Sequence, residues 1–286
     1  MLAGWRKTLV VACLAALAPA MAYCQGGPKV TLGAPVAASG RLSMDRIDHA
    51  PFQALLEKYV DRAGNVDYDG WKKSSDDLKA LEGYLTHLSA GSTRGRASHG
   101  GRLAFWINAY HAVTLRGILR DYPAASIHDL APPANRYDIY NDLILNVDGH
   151  PFSLTQIEHD VLRVLGEPRI HFVLHRGSVG GPRLSRQAFT PDNVEERLAG
   201  GAVDFLADPV NCRFRAGGKL VLSPVLQWYS TDFGPTLVQQ LEYLAPYLPR
   251  DAQRAVRRGG VTVDYSEFDW ALNDQAVLGK AEEDAD

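Results

Sequence analysis

Apolar positions recur along the chain at three- and four-residue spacing in several separate runs, and alternate with polar ones in a few short stretches. Downstream of Asp48, which can cap a helix, Pro51, Phe52, Leu55, Leu56 and Tyr59 mark one helical face. Gly64-Asn65 ends that helix, and Val66-Asp67-Tyr68 reads as a short extended piece before Trp71. Leu78, Leu81, Leu85 and Leu88 define a second amphipathic helix over roughly 75–88, followed by a Gly/Ser/Arg-rich stretch over 90–101. The run 103–119 differs in kind. Leu103, Phe105, Trp106, Ile107, Tyr110, Val113, Leu115 and Ile118 surround the helix on nearly every side, which predicts a buried central element. Asn108 and His111 lie three apart within it, and an unpaired buried polar group costs about 1–3 kcal/mol. The plainest reading is that both tie the helix to neighbouring backbone.

Leu143–Val147, Asp148-Gly149 and His150–Phe152 form a hairpin signal, Asp-Gly being suited to a tight turn with positive φ. Ser153-x-x-Gln156 is a capping box that opens a helix through Ile157, Val161, Leu162 and Leu165, with Gly166 as its stop. In 169–185, Ile170, Phe172 and Leu174 alternate with His171, Val173 and His175, which predicts a buried strand running into a glycine-rich, basic loop. Thr190-Pro191 starts another helix with Val194, Leu198 and Phe205 inward. Cys212–Arg215 and Lys219–Leu222 flank Ala216-Gly217-Gly218 as a second hairpin. Pro235 opens a last long helix through Leu237, Leu241, Leu244 and Tyr247, and Val261–Val263 is a late strand. Short strands scattered among longer helices predict a single α+β domain over 48–275. Its long central helix is expected to pack on a small, mainly antiparallel sheet with further helices around it.

Composition adds bounds. The chain has 286 residues, 46% hydrophobic and 22% charged, enough for a sizeable core. A formal net charge of -3 argues against general nucleic-acid binding, which needs a basic surface to displace counterions. Arg6 and Lys7 precede an apolar run from Thr8 to Leu17, and Ala20-Met21-Ala22 supplies a small-x-small cleavage pattern, so 1–22 reads as a signal peptide. The expectation is an exported protein, periplasmic in a Gram-negative cell, with no transmembrane span after signal removal. Residues 23–47, rich in Gly, Ala, Pro and Ser, read as a flexible linker, and 276–286 as a disordered acidic tail. Tyr23 is bulky where a lipoprotein signal carries a small residue before its cysteine, which argues against anchoring at Cys24. Cys24 and Cys212 can pair in an oxidising compartment. No CxxC or HExxH spacing occurs, so neither a metal nor any other cofactor is expected.

Six ordered blocks together resemble one family. Val66-Asp67-Tyr68 with Trp71, AFWINAYHAVTL at 104–115, SLTQIEHDVLR at 153–163, RIHFVLHRGSVGGPRL at 169–184, LSPVLQWYSTDF at 222–233, and Tyr265 with DWALN at 269–273 are similar to the DUF547 family, whose function is not established. The resemblance implies cysteines in the loop after residue 175, at the positions of Arg176 and Gly181, and Asn at the position of His111. A distant likeness to papain- and transglutaminase-like thiol enzymes is a fold analogy only. An arginine cannot replace a thiol nucleophile, because guanidinium is permanently charged and only donates. The resemblance therefore implies a non-catalytic or altered-activity member.

Two readings of the loop stand side by side. In the binding reading, Arg176 and Arg183, with Arg186 nearby, and the backbone of Gly177, Gly180 and Gly181, with His171, hold a small anionic ligand, a carboxylate, a phosphate or a cell-envelope component. Asn108, His111 and His175 adjoin that site, and the histidines adjust its charge. In the enzyme reading, a hydrolase or acyl transferase uses Ser178 as nucleophile, His175 or His171 as base and the glycine amides as an oxyanion hole, with His111 and Asn108 in support. Against both stands a structural role in which Arg176 pairs with a carboxylate such as Asp232 or Asp269.

Overall fold

A computed structural model describes residues 29–130 and 138–278. The expected signal peptide, Cys24 and residues 279–286 of the expected tail lie outside the described residues, while 276–278 continue a helical turn that begins at Gln275.

The chain enters as β1 (Val30–Leu32) and then forms α1 (Ala50–Tyr59), α2 (Tyr68–Lys73), α3 (Ser75–Leu88) and α4 (His99–Asp121). β2 (Leu143–Val147) and β3 (His150–Ser153) make the expected hairpin, with Asp148 at φ 56° and Gly149 at φ 79° in its turn. The Ser153/Gln156 capping box closes on α5 (Leu154–Gln156), which runs into a π-helical turn over Ile157–Leu162. α6 (Val194–Ala207) follows a turn in which the Thr190 hydroxyl accepts from the Asn193 amide. The second half comprises β4 (Cys212–Arg215), β5 (Lys219–Leu222), α7 (Pro224–Trp228), α8 (Ser230–Phe233), α9 (Leu237–Leu244), α10 (Arg250–Arg258) and β6 (Thr262–Tyr265).

The α+β class is as expected, with α4 at the centre. Every residue from Leu103 to Leu115 is buried, and the Ser98 hydroxyl caps the helix at the Gly101 amide. In place of one sheet there are two of three strands, β1-β2-β3 and β4-β5-β6. Each is an antiparallel hairpin extended by a parallel partner, β1 on β2 and β6 on β5. One core surrounds α4, and a second joins Phe172 and α6 to the β4-β5 hairpin and α7–α10. Among the described residues no helix is long and apolar enough to cross a membrane.

Two segments depart from expectation. Residues 29–47 are docked and are not a loose linker. β1 pairs in register with β2, and Leu32, Met44 and Ile47 are buried. Their apolar side chains are spaced too irregularly to show a period, but each fills a place in the core. The strand expected over 170–174 is instead a 3-10 helix, Pro168–Phe172. Its alternation does not divide a buried face from a wet one, because every residue from Ile170 to Ser178 is buried. With no strand partner alongside, the amides of Val173 and Leu174 close on the Ile170 carbonyl, at 3.0 and 2.9 Å.

Candidate functional site

Arg176 follows this 3-10 segment and points inward. It is 5% exposed, and Nη2 donates to Glu158 Oε1 at 2.5 Å and to the Tyr229 hydroxyl at 3.1 Å, while Nη1 reaches the Leu174 carbonyl at 3.2 Å. Glu158 comes from the π-helical turn, where the added residue per turn re-aims a side chain; its Oε2 also accepts from the Tyr110 hydroxyl at 3.2 Å. Burial alone would raise the Glu158 carboxyl, but the adjacent guanidinium and the hydrogen bonds outweigh it and hold the pKa below its ordinary value. The charge of Arg176 is thus matched inside the protein, by a carboxylate the sequence reading did not single out. Asp232 is taken by Arg163, at 2.6 and 2.7 Å, and by His171 Nε2 at 2.8 Å; Asp269 caps the Ala271 amide. The His171 ring stacks on Tyr229 with centroids 4.0 Å apart.

The loop that follows is equally self-contained. The amides of Val179 and Gly180 donate to Ala271 and Asp269 carbonyls at 2.9 Å, and that of Gly181 to Ser178 at 3.2 Å. These three amides are therefore committed within the protein. Gly177, at φ 78°, would place a Cβ 2.6 Å from Ile118 Cδ1, and Gly180 one 2.6 Å from the Asp269 amide nitrogen. These glycines serve close packing, and nothing in this geometry presents the loop amides to an anion or an oxyanion. His175 Nδ1 donates to the Pro182 carbonyl at 2.8 Å, while its Nε2 and Ser178 Oγ are both buried without a hydrogen-bond partner. No hydrogen bond joins Ser178 to His175, and the two are 2% and 1% exposed, so the geometry assembles no serine–histidine pair open to a substrate.

Open space lies next to this segment, where His111 of α4 faces it. A cleft of about 760 Å³ is bounded by the Arg183–Phe189 loop, one face of α6 and the Phe172–Val173 turn. Asn108 fixes its wall by two hydrogen bonds to one residue, Nδ2 donating to the Phe189 carbonyl at 2.7 Å and Oδ1 accepting from the Phe189 amide at 2.9 Å. His111 lines the floor. Its Nε2 lies 2.9 Å from the Val173 carbonyl and 3.2 Å from the His175 amide, and one nitrogen cannot donate to the first while accepting from the second. The shorter contact makes Nε2 the donor, leaving Nδ1 as a lone pair that takes no hydrogen bond from the described residues. Burial lowers the pKa of His111 to about 3, and those of His171 and His175 to about 4. All three are neutral near pH 7 and do not adjust charge there, contrary to the role expected of them.

Arg197, on α6, is the cleft's distinctive cation. Its guanidinium carbon sits 4.3 Å over the Phe189 ring, Nη1 donates to Gln187 Oε1 at 2.9 Å, and Nε is buried without a hydrogen-bond partner. No carboxylate pairs with it among the described residues, and burial lowers its pKa to about 10. Arg183, by contrast, is spent on Asp208 at 2.7 Å and Arg186 on the Glu57 carbonyl at 2.7 Å. The sequence reading missed Arg197. The available signal was its place on the face of α6 that continues through Gly200, Gly201 and Asp204.

Cys212 is buried, which pushes its thiol up to about 11 and leaves it unreactive. Trp106 packs in the core, whereas Trp228, Phe268 and Trp270 cluster at the surface, Trp228 being 46% exposed. Among the described residues no group of three or more His, Cys, Asp or Glu is placed to hold a metal.

Fold and site thus define a mixed α/β domain whose glycine-rich loop is closed by an internal ion pair and whose accessible cleft lies between that segment and α6. Comparison with known families supplies the rest: residues 95–206 match the family DUF547, described as a protein of unknown function. That segment runs from before α4 to the end of α6 and contains every expected site residue as well as Arg197. No curated protein and no solved structure matches the chain.

Proposed function

We propose that this is an exported, non-catalytic or altered-activity DUF547-type protein that binds an anionic ligand, a carboxylate or phosphate, in the cleft beside α6. The guanidinium that grips the anion is Arg197, and Arg176 serves only the interior. One observation carries the reading: a guanidinium with no carboxylate partner and an unsatisfied buried Nε lines a 760 Å³ cleft. A cation kept this way is unfavourable unless something supplies the missing acceptor, and an anion does so with charge-assisted bonds. Phe189 under the guanidinium plane and Asn108 behind the loop hold the group in place. Export rests on the charged-then-apolar run at 6–17 and the Ala20-Met21-Ala22 pattern.

Calorimetric titration of the mature protein with acetate, N-acetyl-alanine and inorganic phosphate at pH 7 tests this. At least one anion is expected to bind, and Arg197→Gln to weaken it tenfold or more, since a charged hydrogen bond is worth about 1.5–3 kcal/mol. Wild-type affinity retained in Arg197→Gln, or no binding of any anion to wild type, overturns the proposal.

A further inference from the structure

We infer that the cleft takes a short peptide with both termini free, its carboxylate on Arg197 and its ammonium beside Asp204; this rests on the anion reading above and names its ligand class. Arg197 and Asp204 are seven residues apart on α6 and therefore share a face, two turns or about 10.5 Å apart along the axis. Asp204 lines the cleft, and its carboxylate makes no hydrogen bond or ion pair among the described residues. Asp208, one turn further, is already matched by Arg183. Arg197 and Asp204 thus place a charge of each sign, neither in an ion pair among the described residues, at a fixed separation on one face of α6.

Between the two charges the helix surface is open at Gly200 and packed against Val173 at Gly201. Gly200 and Gly201 both line the cleft, and a Cβ on Gly200 would meet nothing within 4 Å. A ligand backbone can lie against this strip, with Phe172 and Phe205 as apolar walls for small side chains. An extended chain advances about 3.3–3.6 Å per residue, so about three residues span the interval. The polarity agrees with the helix dipole, which favours an anion toward the N-terminal end and a cation toward the C-terminal end of α6. Glu196, Asp204 and Asp61 on the same walls oppose a polyanion but not a zwitterion.

Titration of the mature protein with tri-alanine, N-acetyl-tri-alanine, tri-alanine amide and inorganic phosphate decides the matter. Tri-alanine is expected to bind most tightly. Amidation or Arg197→Gln should weaken it tenfold or more, and N-acetylation or Asp204→Asn three- to tenfold, with Asp204→Asn leaving the N-acetyl form unaffected. Asp204 is exposed, so that variant keeps the fold, and Arg197→Lys serves as a charge-retaining control expected to keep part of the affinity. If N-acetyl-tri-alanine binds as tightly as tri-alanine and Asp204→Asn changes neither, or if phosphate binds tighter than any peptide, the peptide inference is wrong while the anion reading stands. If the amide binds as well as the free acid and Arg197→Gln has no effect, or if nothing binds, both are wrong.

Discussion

Replacing Arg176 by alanine removes the partner of a carboxylate that is itself 5% exposed. Breaking a buried pair in this way costs about 3–5 kcal/mol, because one charge stays behind without compensation. For a domain of this size each kcal/mol moves the melting temperature by about 2–4 °C, so Arg176→Ala should melt about 6–20 °C below wild type at pH 7.5. The difference must also depend on pH in one direction. In wild type the guanidinium holds the Glu158 pKa below its ordinary value, a contribution present above the unfolded pKa and lost as pH falls through the folded one. Without Arg176, burial raises that pKa instead, and the carboxyl takes up a proton as pH drops, relieving the variant. The gap between variant and wild type should therefore narrow from pH 8 toward pH 4.5. Replacing both partners, Glu158→Leu with Arg176→Met, should recover most of the loss, since no charge remains to be buried. Scanning calorimetry across pH measures all three proteins. An Arg176→Ala variant that melts within 2 °C of wild type, or a gap that widens in acid, would refute a sealed and internally matched pair.

Two adjacent glycines on α6 should respond in opposite senses. Gly200→Ala removes a helix-interior glycine into open space and should stabilise by about 0.5–1 kcal/mol in chemical denaturation. Gly201→Ala places a Cβ 2.4 Å from Val173 Cγ1, and overpacking of about 1–3 kcal/mol should outweigh the helix gain; equal effects of the two would contradict the packing of α6 on the 3-10 turn. The buried histidines predict acid sensitivity. His111, His171 and His175 have folded pKa values of about 3, 4 and 4, below an unfolded value near 6.5, so the unfolded chain binds more protons in acid. Stability should be unaffected by them above pH 6.5 and fall below it by about 1.4 kcal/mol per pH unit for each, until the folded pKa is reached. A flat stability profile between pH 6.5 and 4.5 would be the contrary result.

The parts of the fold that could be read from sequence were those in which one physical signal acted alone. The all-round apolarity of 103–119, the Ser153/Gln156 box and the Asp148-Gly149 turn each specify a local structure that tertiary contacts then keep. The 170–175 stretch was misread because alternation predicts a strand only when a partner strand and two unlike faces exist, and here both faces are buried. β1 was invisible as a three-residue strand whose parallel partner, β2, lies more than a hundred residues away. In the site, Asn108 and His111 were legible as polar groups in a greasy helix, and both do tie to backbone. The loop drew attention to Arg176, but the partner that seals it sits on a π-helical turn no periodicity announces. Arg197 escaped notice because what sets it apart is a buried Nε without an acceptor and a guanidinium in no ion pair, a property of the folded surroundings and not of the helix sequence.

The claim on which the functional account turns is that the arginine available to a ligand is Arg197 and not Arg176. Mass-spectrometric mapping of phenylglyoxal modification on the native protein, with and without saturating tri-alanine, reads this residue by residue. The account predicts that Arg197 is modified and becomes protected by the peptide, while Arg176 stays unmodified in both states. Modification of Arg176 that the peptide suppresses, with Arg197 indifferent to it, would contradict the account.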